Sequence, residues 1–238
     1  MNVQEATTRR LPDLKERHLP ENCRETINTI LKETYGYEQF RNLEIYDDLS
    51  KGKEKLCISQ GQLIENVILE AEKAWKSETQ VDNILLTAPT GSGKSLLFQL
   101  PAIYLGKEYN LLTIVVSPLK ALIVDQVESL QELGYARVAY ASSDLSPEQK
   151  MEVYRQVREG EIDLFYLSPE LLLSYDIKHF VGERLIGLVV VDEAHTVTTW
   201  GKEFRVDYWF LGRYLTALKQ TLGYNFPLFA LTCLLYTS

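Results

Sequence analysis

The sequence predicts an α/β fold in which a doubly wound, mostly parallel sheet carries helices on both faces, with a helical N-terminal extension. Three observations predict it. From about residue 82, short apolar β-rich runs alternate with stretches of helical composition, the order that builds parallel sheets with crossover helices. Several of those runs are apolar without alternation, as strands covered on both faces must be. The 238 residues are 45% hydrophobic and 24% charged, which supplies a core and excludes a wholly disordered chain.

Taken in order, residues 1–80 are the helical N-terminal accessory region, polar and rich in Glu and Lys, with no strand expected. Ile27, Ile30 and Leu31 share one face of a short helix that ends near Gly36. Ile64, Val67, Ile68, Ala71 and Trp75 recur at the spacing of an amphipathic helix. Ser59 followed by Gln62 is a capping-box pattern at its start. The stretch SKGKEK at 50–55 reads as a solvated loop. Residues 81–232 form the main domain. Its strands are expected at 83–88, 111–116, 137–141, 162–167, 185–191 and 227–231, with helices at 94–106, 119–133 and 147–159.

Composition narrows the function. A net charge of −8, spread evenly along the chain, counts against a protein that coats nucleic acid, though a local groove can still bind it. No apolar run approaches the roughly 20 residues that span a bilayer, so no membrane partner is expected. The N-terminal stretch is too polar for a signal peptide. Cys23, Cys57 and Cys233 lie far apart with no CxxC, which indicates neither a zinc site nor a disulfide framework. A cytoplasmic location fits best.

The strongest chemical signal is Ala88-Pro89-Thr90-Gly91-Ser92-Gly93-Lys94-Ser95, directly after the first main-domain strand and opening a helix. The small residues Thr90, Gly91, Ser92 and Gly93 let backbone N–H groups curl around phosphate oxygens, and the helix N-terminus adds positive charge. Lys94 would reach the β- and γ-phosphates and the Ser95 hydroxyl would ligate Mg2+. Ala88 stands where the strict pattern has glycine. A glycine-rich turn that merely precedes Lys-Ser is the plain alternative, but the strand–loop–helix context is the one this motif requires.

Downstream, Asp192 and Glu193 end a buried apolar run, and strand ends are where open α/β sheets place ligand chemistry. Asp192 would hold Mg2+, directly or through water, and Glu193 would polarise the attacking water. Such a pair alone reads equally well as a solvated turn; the phosphate loop tips the balance. His195 sits beside both acids and is a candidate to couple them to a neighbouring motif.

APTGSGKS and DEAH together resemble motifs I and II of superfamily 2 helicases. TYGYEQFR (34–41), SLLFQLPAIYL (95–105), VVSPLKALIVDQV (115–127), LFYLSPELLL (164–173) and VDEAHTVTTWGKEFRVDY (191–208) resemble the RecQ-like DNA helicases, over nearly all of residues 24–232. The resemblance implies a RecA-like P-loop NTPase fold and an enzyme that couples ATP hydrolysis to single-strand translocation and duplex unwinding. Its cofactors would be ATP and Mg2+, and its partner single-stranded or forked DNA. The aromatic-rich loop after motif II would sense single-stranded DNA through Trp200, Phe204 and Arg205, whose ring faces and guanidinium plane suit stacking on bases. Trp200, Phe204, Tyr208 and Trp209 as core aromatics is the competing reading. Lys202 departs from the His common there.

Ser117, Pro118 and Lys120 correspond to a backbone-gripping motif at a strand-to-helix junction, and Ser168 to the next; either alone reads equally as a helix cap. By resemblance Gln62 reads adenine, in competition with its capping role, and the long segment between Phe40-Arg41 and Gln62 marks an atypical member.

Residues 228–232 resemble the start of motif III. Cys233–Ser238 read CLLYTS, the translation of a transposase-adapter end, and are expected to be a non-native tail on a truncated fragment. The second RecA-like domain, with its arginine finger, would then be missing, and the fragment would not unwind DNA alone. Two rivals remain open: a duplex translocase or remodeller of a defence or restriction system, and a nucleotide-switched nucleic-acid-binding subunit.

Overall fold

The structure, a computed structural model, describes residues 23–46, 55–78, 80–88, 91–194 and 206–232. Six strands are in the main sheet: β3 (Ile84–Thr87), β4 (Leu112–Val116), β5 (Val138–Ala141), β6 (Leu164–Leu167), β7 (Ile186–Val191) and β8 (Leu228–Thr232). They lie in the order β3-β8-β7-β4-β6-β5, and every pair is parallel. Each falls on one of the six apolar runs. β4, β6 and β7 are buried at every position, which is why those runs show no alternation.

Side chains still point alternately to two faces. Val115, Leu164, Tyr166, Leu188 and Val190 enter one core with α1 (Glu25–Tyr35), α2 (Gln60–Trp75), α3 (Leu96–Tyr109) and α4 (Lys120–Glu132). Leu112, Ile114, Phe165, Leu167 and Val189 enter the other. There they meet α5 (Pro147–Arg158), α6 (Pro169–Ser174), α7 (Ile177–Val181) and α8 (Val206–Leu222). The helices expected in the main domain are α3, α4 and α5.

The N-terminal region brings two corrections. It holds strands as well as helices: β1 (Asn42–Tyr46) and β2 (Lys55–Ser59) pair antiparallel, Leu43 opposite Ile58. Each strand has only five residues, too short for its alternation to stand out among charged neighbours. Lys55, expected in a loop, is in β2; residues 50–54 lie outside the described residues. Trp75 is 44% exposed, resting on Tyr109 at 6.1 Å because the helix ends there.

The other expectations hold locally. α1 stops at Gly36, whose φ of +68° is left-handed, and Ser59 and Gln62 complete a capping box at α2. Ile27, Ile30, Leu31, Ile64, Val67 and Ile68 belong to the same continuous core as Leu100, Ile103 and Val190. Each fully buried side chain of this kind contributes about 1.5–3 kcal/mol, so α1 and α2 are packed into the sheet domain rather than appended to it.

Two buried ion clusters brace this packing. Arg24 donates to Glu65 at 2.7 Å and to Glu72 at 2.6 Å, and Tyr109 donates to Glu72 at 2.9 Å. Burial pushes the Glu72 carboxyl up, but its bonds to Arg24 and Tyr109 outweigh this and hold it below the usual range. At the opposite end of the sheet from the phosphate loop, fully buried Asp163 accepts from Arg137 at 2.6 Å, Arg184 at 2.9 Å and Tyr135 at 2.8 Å. α3 passes so close that a Cβ on Gly106 would lie 2.2 Å from the Asp163 carboxyl carbon.

Candidate functional site

Because the six strands are parallel, their C-terminal ends emerge on one edge of the sheet, the edge where open α/β folds bind ligands. The loop after β3 lies there. Gly91 and Gly93 take φ of +81° and +79°, a left-handed conformation that few other residues adopt without strain, and α3 begins two residues after Lys94. Lys94 reaches back across the loop, its Nζ donating to the Ala88 carbonyl at 3.2 Å. Pro89 and Thr90 lie outside the described residues.

The loop is held from the side by a residue the sequence reading passed over. Gln60, 2% exposed, donates through Nε2 to the Ser92 carbonyl at 3.1 Å and accepts the Arg41 N–H through Oε1 at 3.1 Å. A Cβ on Gly93 would approach Gln60 Nε2 to 2.8 Å. Gln62, two residues on, turns its Oε1 back to the Ser59 N–H at 3.1 Å. Its capping role is therefore the one seen, and the amide at the phosphate loop is that of Gln60. Spacing alone could not separate the two.

Asp192 and Glu193 end β7. Asp192 is 5% exposed, and its Oδ1 accepts the Glu193 N–H at 2.9 Å. Burial and the neighbouring Glu193 push the Asp192 carboxyl up, while the Glu193 amide, Lys94 and Gln126 work the other way. The influence of Lys94 brings the phosphate loop and this acid into one electrostatic site. Glu193 has φ of +50°, uncommon for a residue with a side chain and a form of backbone strain that collects at functional sites. His195 lies outside the described residues.

The donor set fits a nucleotide phosphate and its metal. Two left-handed glycines open the loop backbone, and a Cβ at Gly91 would meet nothing within 4 Å. The Ser95 hydroxyl makes no capping bond to α3, and the Ser92 hydroxyl is buried without a hydrogen-bond partner among the described residues. A buried carboxylate within the electrostatic influence of Lys94 completes a set suited to a hard cation and its phosphate ligands.

Beside this site the same sheet edge carries a groove of about 500 Å3, lined in part by Pro118, Lys120, Ser143, Lys150, Ser168 and Tyr175. Adjacency of β4 and β6 brings the two expected motifs together. Lys120 bonds Ser143, and its Nζ also lies 2.9 Å from Asp144. Ser168 caps α6, accepting the Leu171 N–H at 3.3 Å. Ser117 lies beneath, 1% exposed, its hydroxyl buried without a partner among the described residues. Ser143 comes from the β5–α5 connection and Lys150 from the first turn of α5, and neither was singled out by sequence. Trp200, Phe204 and Arg205 lie outside the described residues.

Comparison with known proteins agrees with this geometry. A family model described as DEAD/DEAH box helicase matches residues 69–224. The ATP-dependent DNA helicase RecQ of Synechocystis sp. is 34% identical over 202 residues, covering 84% of this chain and 35% of the relative. RecQ of Haemophilus influenzae is 30% identical over 207 residues, covering 87% and 28%. The chain thus spans about a third of the length of these curated relatives. Among solved structures, the DUF1998 helicase MrfA has a TM-score of 0.58 at 21% identity, over 92% of this chain and 30% of that one. The Pyrococcus furiosus Hef helicase domain has a TM-score of 0.52 at 20% identity, over 74% and 33%; both likenesses are of fold. The chain belongs to the DEAD/DEAH box helicase family and is RecQ-like.

Proposed function

We propose that this chain is the first motor domain of an ATP-dependent, RecQ-like DNA helicase that moves along single-stranded DNA and separates forked duplexes in the cytoplasm. The observation that carries the reading is the shared sheet edge: a phosphate loop with its buried acid, and beside it a groove with two lysines and three serines. In this reading the backbone of Thr90–Gly93 and the Lys94 ammonium bind the ATP phosphates. Ser95 and Asp192 would hold Mg2+, which would supply charge neutralisation to the ATP phosphates.

Glu193 accepts a proton from the attacking water and orients it. His195 couples these acids to a neighbouring motif. Lys120 and Lys150 meet backbone phosphates, with Ser117, Pro118 and Ser168 shaping the strand-to-helix junctions, so the contacts position a strand without reading its sequence. Trp200, Phe204 and Arg205 stack on bases and report the bound strand. A second RecA-like domain in the whole protein closes the nucleotide cleft. The test is strand separation by the whole protein on forked DNA, set against duplex-stimulated hydrolysis without separation. Unwinding that needs a single-stranded arm supports the reading; hydrolysis driven by blunt duplex alone overturns it.

A further inference from the structure

The groove beside the phosphate loop has an apolar side that phosphate binding leaves unexplained. Leu119 and Tyr175 both line it, and they are 48% and 50% exposed. The charges around it are close to balanced. Lys120 has Asp144 at 2.9 Å, and Glu170 lines the groove together with Lys150. Two acids beside two lysines leave little net charge to attract phosphate, so a strand held there needs a contact of another kind.

Tyr175 is built to supply one. It is one of two residues between α6 and α7, in extended backbone with φ of −135° and ψ of 156°. Asp176 beside it caps α7, accepting the Lys178 N–H at 2.8 Å. The Tyr175 ring stacks on His179, with centroids 5.0 Å apart and planes 15° from parallel. It also stands edge-on to Phe180 at 5.8 Å, and Phe180 is fully buried against Tyr154 and Phe165. His179 is held in turn on Tyr154 at 5.2 Å. One ring face is thus covered by His179, while half of Tyr175 stays exposed in the groove wall.

A ring already anchored from behind loses little freedom when a second flat group lies on it. On a strand whose phosphates meet lysines, that flat group is a nucleobase, and base–aromatic stacking asks for no hydrogen-bond readout. The lysines come from the starts of α4 and α5 and the ring from the end of α6, so backbone and base meet different elements. We infer that Tyr175 is a stacking platform for one base of a bound DNA single strand, with His179 backing its ring. The inference rests on the reading of this groove as the path of that strand.

The experiment measures binding of a fluorescently labelled oligothymidylate to this chain across a salt series. The intact oligonucleotide is compared with versions carrying one abasic site at successive positions. Tyr175→Leu keeps apolar bulk against His179 and Phe180 but removes the ring, whereas Tyr175→Phe keeps the ring. Tyr175→Leu is expected to weaken binding about tenfold with the salt slope unchanged, because no phosphate contact is lost. Tyr175→Phe should bind like the wild type. One abasic position should cost the wild type a similar factor and cost Tyr175→Leu nothing further. The inference is overturned if Tyr175→Leu binds like the wild type, if Tyr175→Phe shares its loss, or if that loss adds in full at every abasic position. It is overturned too if no abasic site weakens the wild type, a result that needs no variant to fold. Lys120→Ala combined with Lys150→Ala tests the underlying reading and should lower the salt slope by about 1.4. An unchanged slope, or no binding by the wild type, removes the groove reading and the inference with it. A lowered slope beside normal binding by Tyr175→Leu removes the stacking platform alone.

Discussion

Gln60 allows a sharp test of how the phosphate loop is held. Gln60→Ala removes a carboxamide that serves two backbone groups at once, the Ser92 carbonyl and the Arg41 N–H, each at 3.1 Å. A net hydrogen bond is worth about 0.5–1.5 kcal/mol, and a buried group left unpaired costs about 1–3 kcal/mol. The Ser92 side of the bridge restrains the loop that must be ordered when phosphate arrives. Its loss alone, taken near 1.4 kcal/mol, weakens nucleotide binding about tenfold. Gln62→Ala removes only the return bond of the capping box to the Ser59 N–H, worth about 0.5–1.5 kcal/mol of stability, and leaves the Gln60 bridge to Ser92 in place. Equilibrium binding of a fluorescent ATP analogue, beside urea unfolding of each variant, separates these effects. The reasoning is refuted if Gln62→Ala weakens binding as much as Gln60→Ala does. It is refuted equally if Gln60→Ala binds like the wild type.

Three further outcomes follow from buried charge and close packing. Gly106→Ala drives a methyl to 2.2 Å from the Asp163 carboxyl carbon, where two arginines hold that group in place. It should lower stability by about 3 kcal/mol, and a loss under about 1 kcal/mol by urea unfolding would contradict the packing. Glu72 is a carboxyl held low against its burial, so its ionised form contributes stability that is complete above the ordinary value of 4.5 and lost as pH falls through the folded value. The stability gap between wild type and Glu72→Gln should therefore shrink below pH 4.5; a gap constant with pH would rule this out. Asp192 has the opposite sign. Its carboxyl is pushed up by burial and Glu193, so charge there costs stability at neutral pH. Asp192→Asn should raise the unfolding midpoint, by about 2–4 °C for each kcal/mol relieved, while removing function; a lower midpoint would count against that electrostatic picture.

What could be read from the sequence depended on the range of the interaction behind it. β4, β6 and β7 are buried on both faces, so their apolar runs announced strands without help from context. The glycine-bearing loop after β3 was equally legible, because Gly91 and Gly93 answer to local backbone geometry. The β1–β2 hairpin escaped because Leu43 and Ile58 acquire meaning only when paired across the strands. Gln60 escaped for a related reason: its amide matters through Ser92, 32 residues away. Gln62, whose partner is three residues off, showed its capping role at once. Trp75 erred in the other direction, since helical spacing marks a face but not the point where the helix leaves the core.

The central claim is that one sheet edge hydrolyses ATP under the control of a bound DNA strand. The most direct measurement is ATP turnover by the whole protein with and without single-stranded DNA, in the wild type and in Lys94→Ala. The account predicts strong stimulation in the wild type and loss of turnover in the variant under both conditions. Turnover indifferent to single-stranded DNA, or a Lys94→Ala protein as active as the wild type, would contradict it.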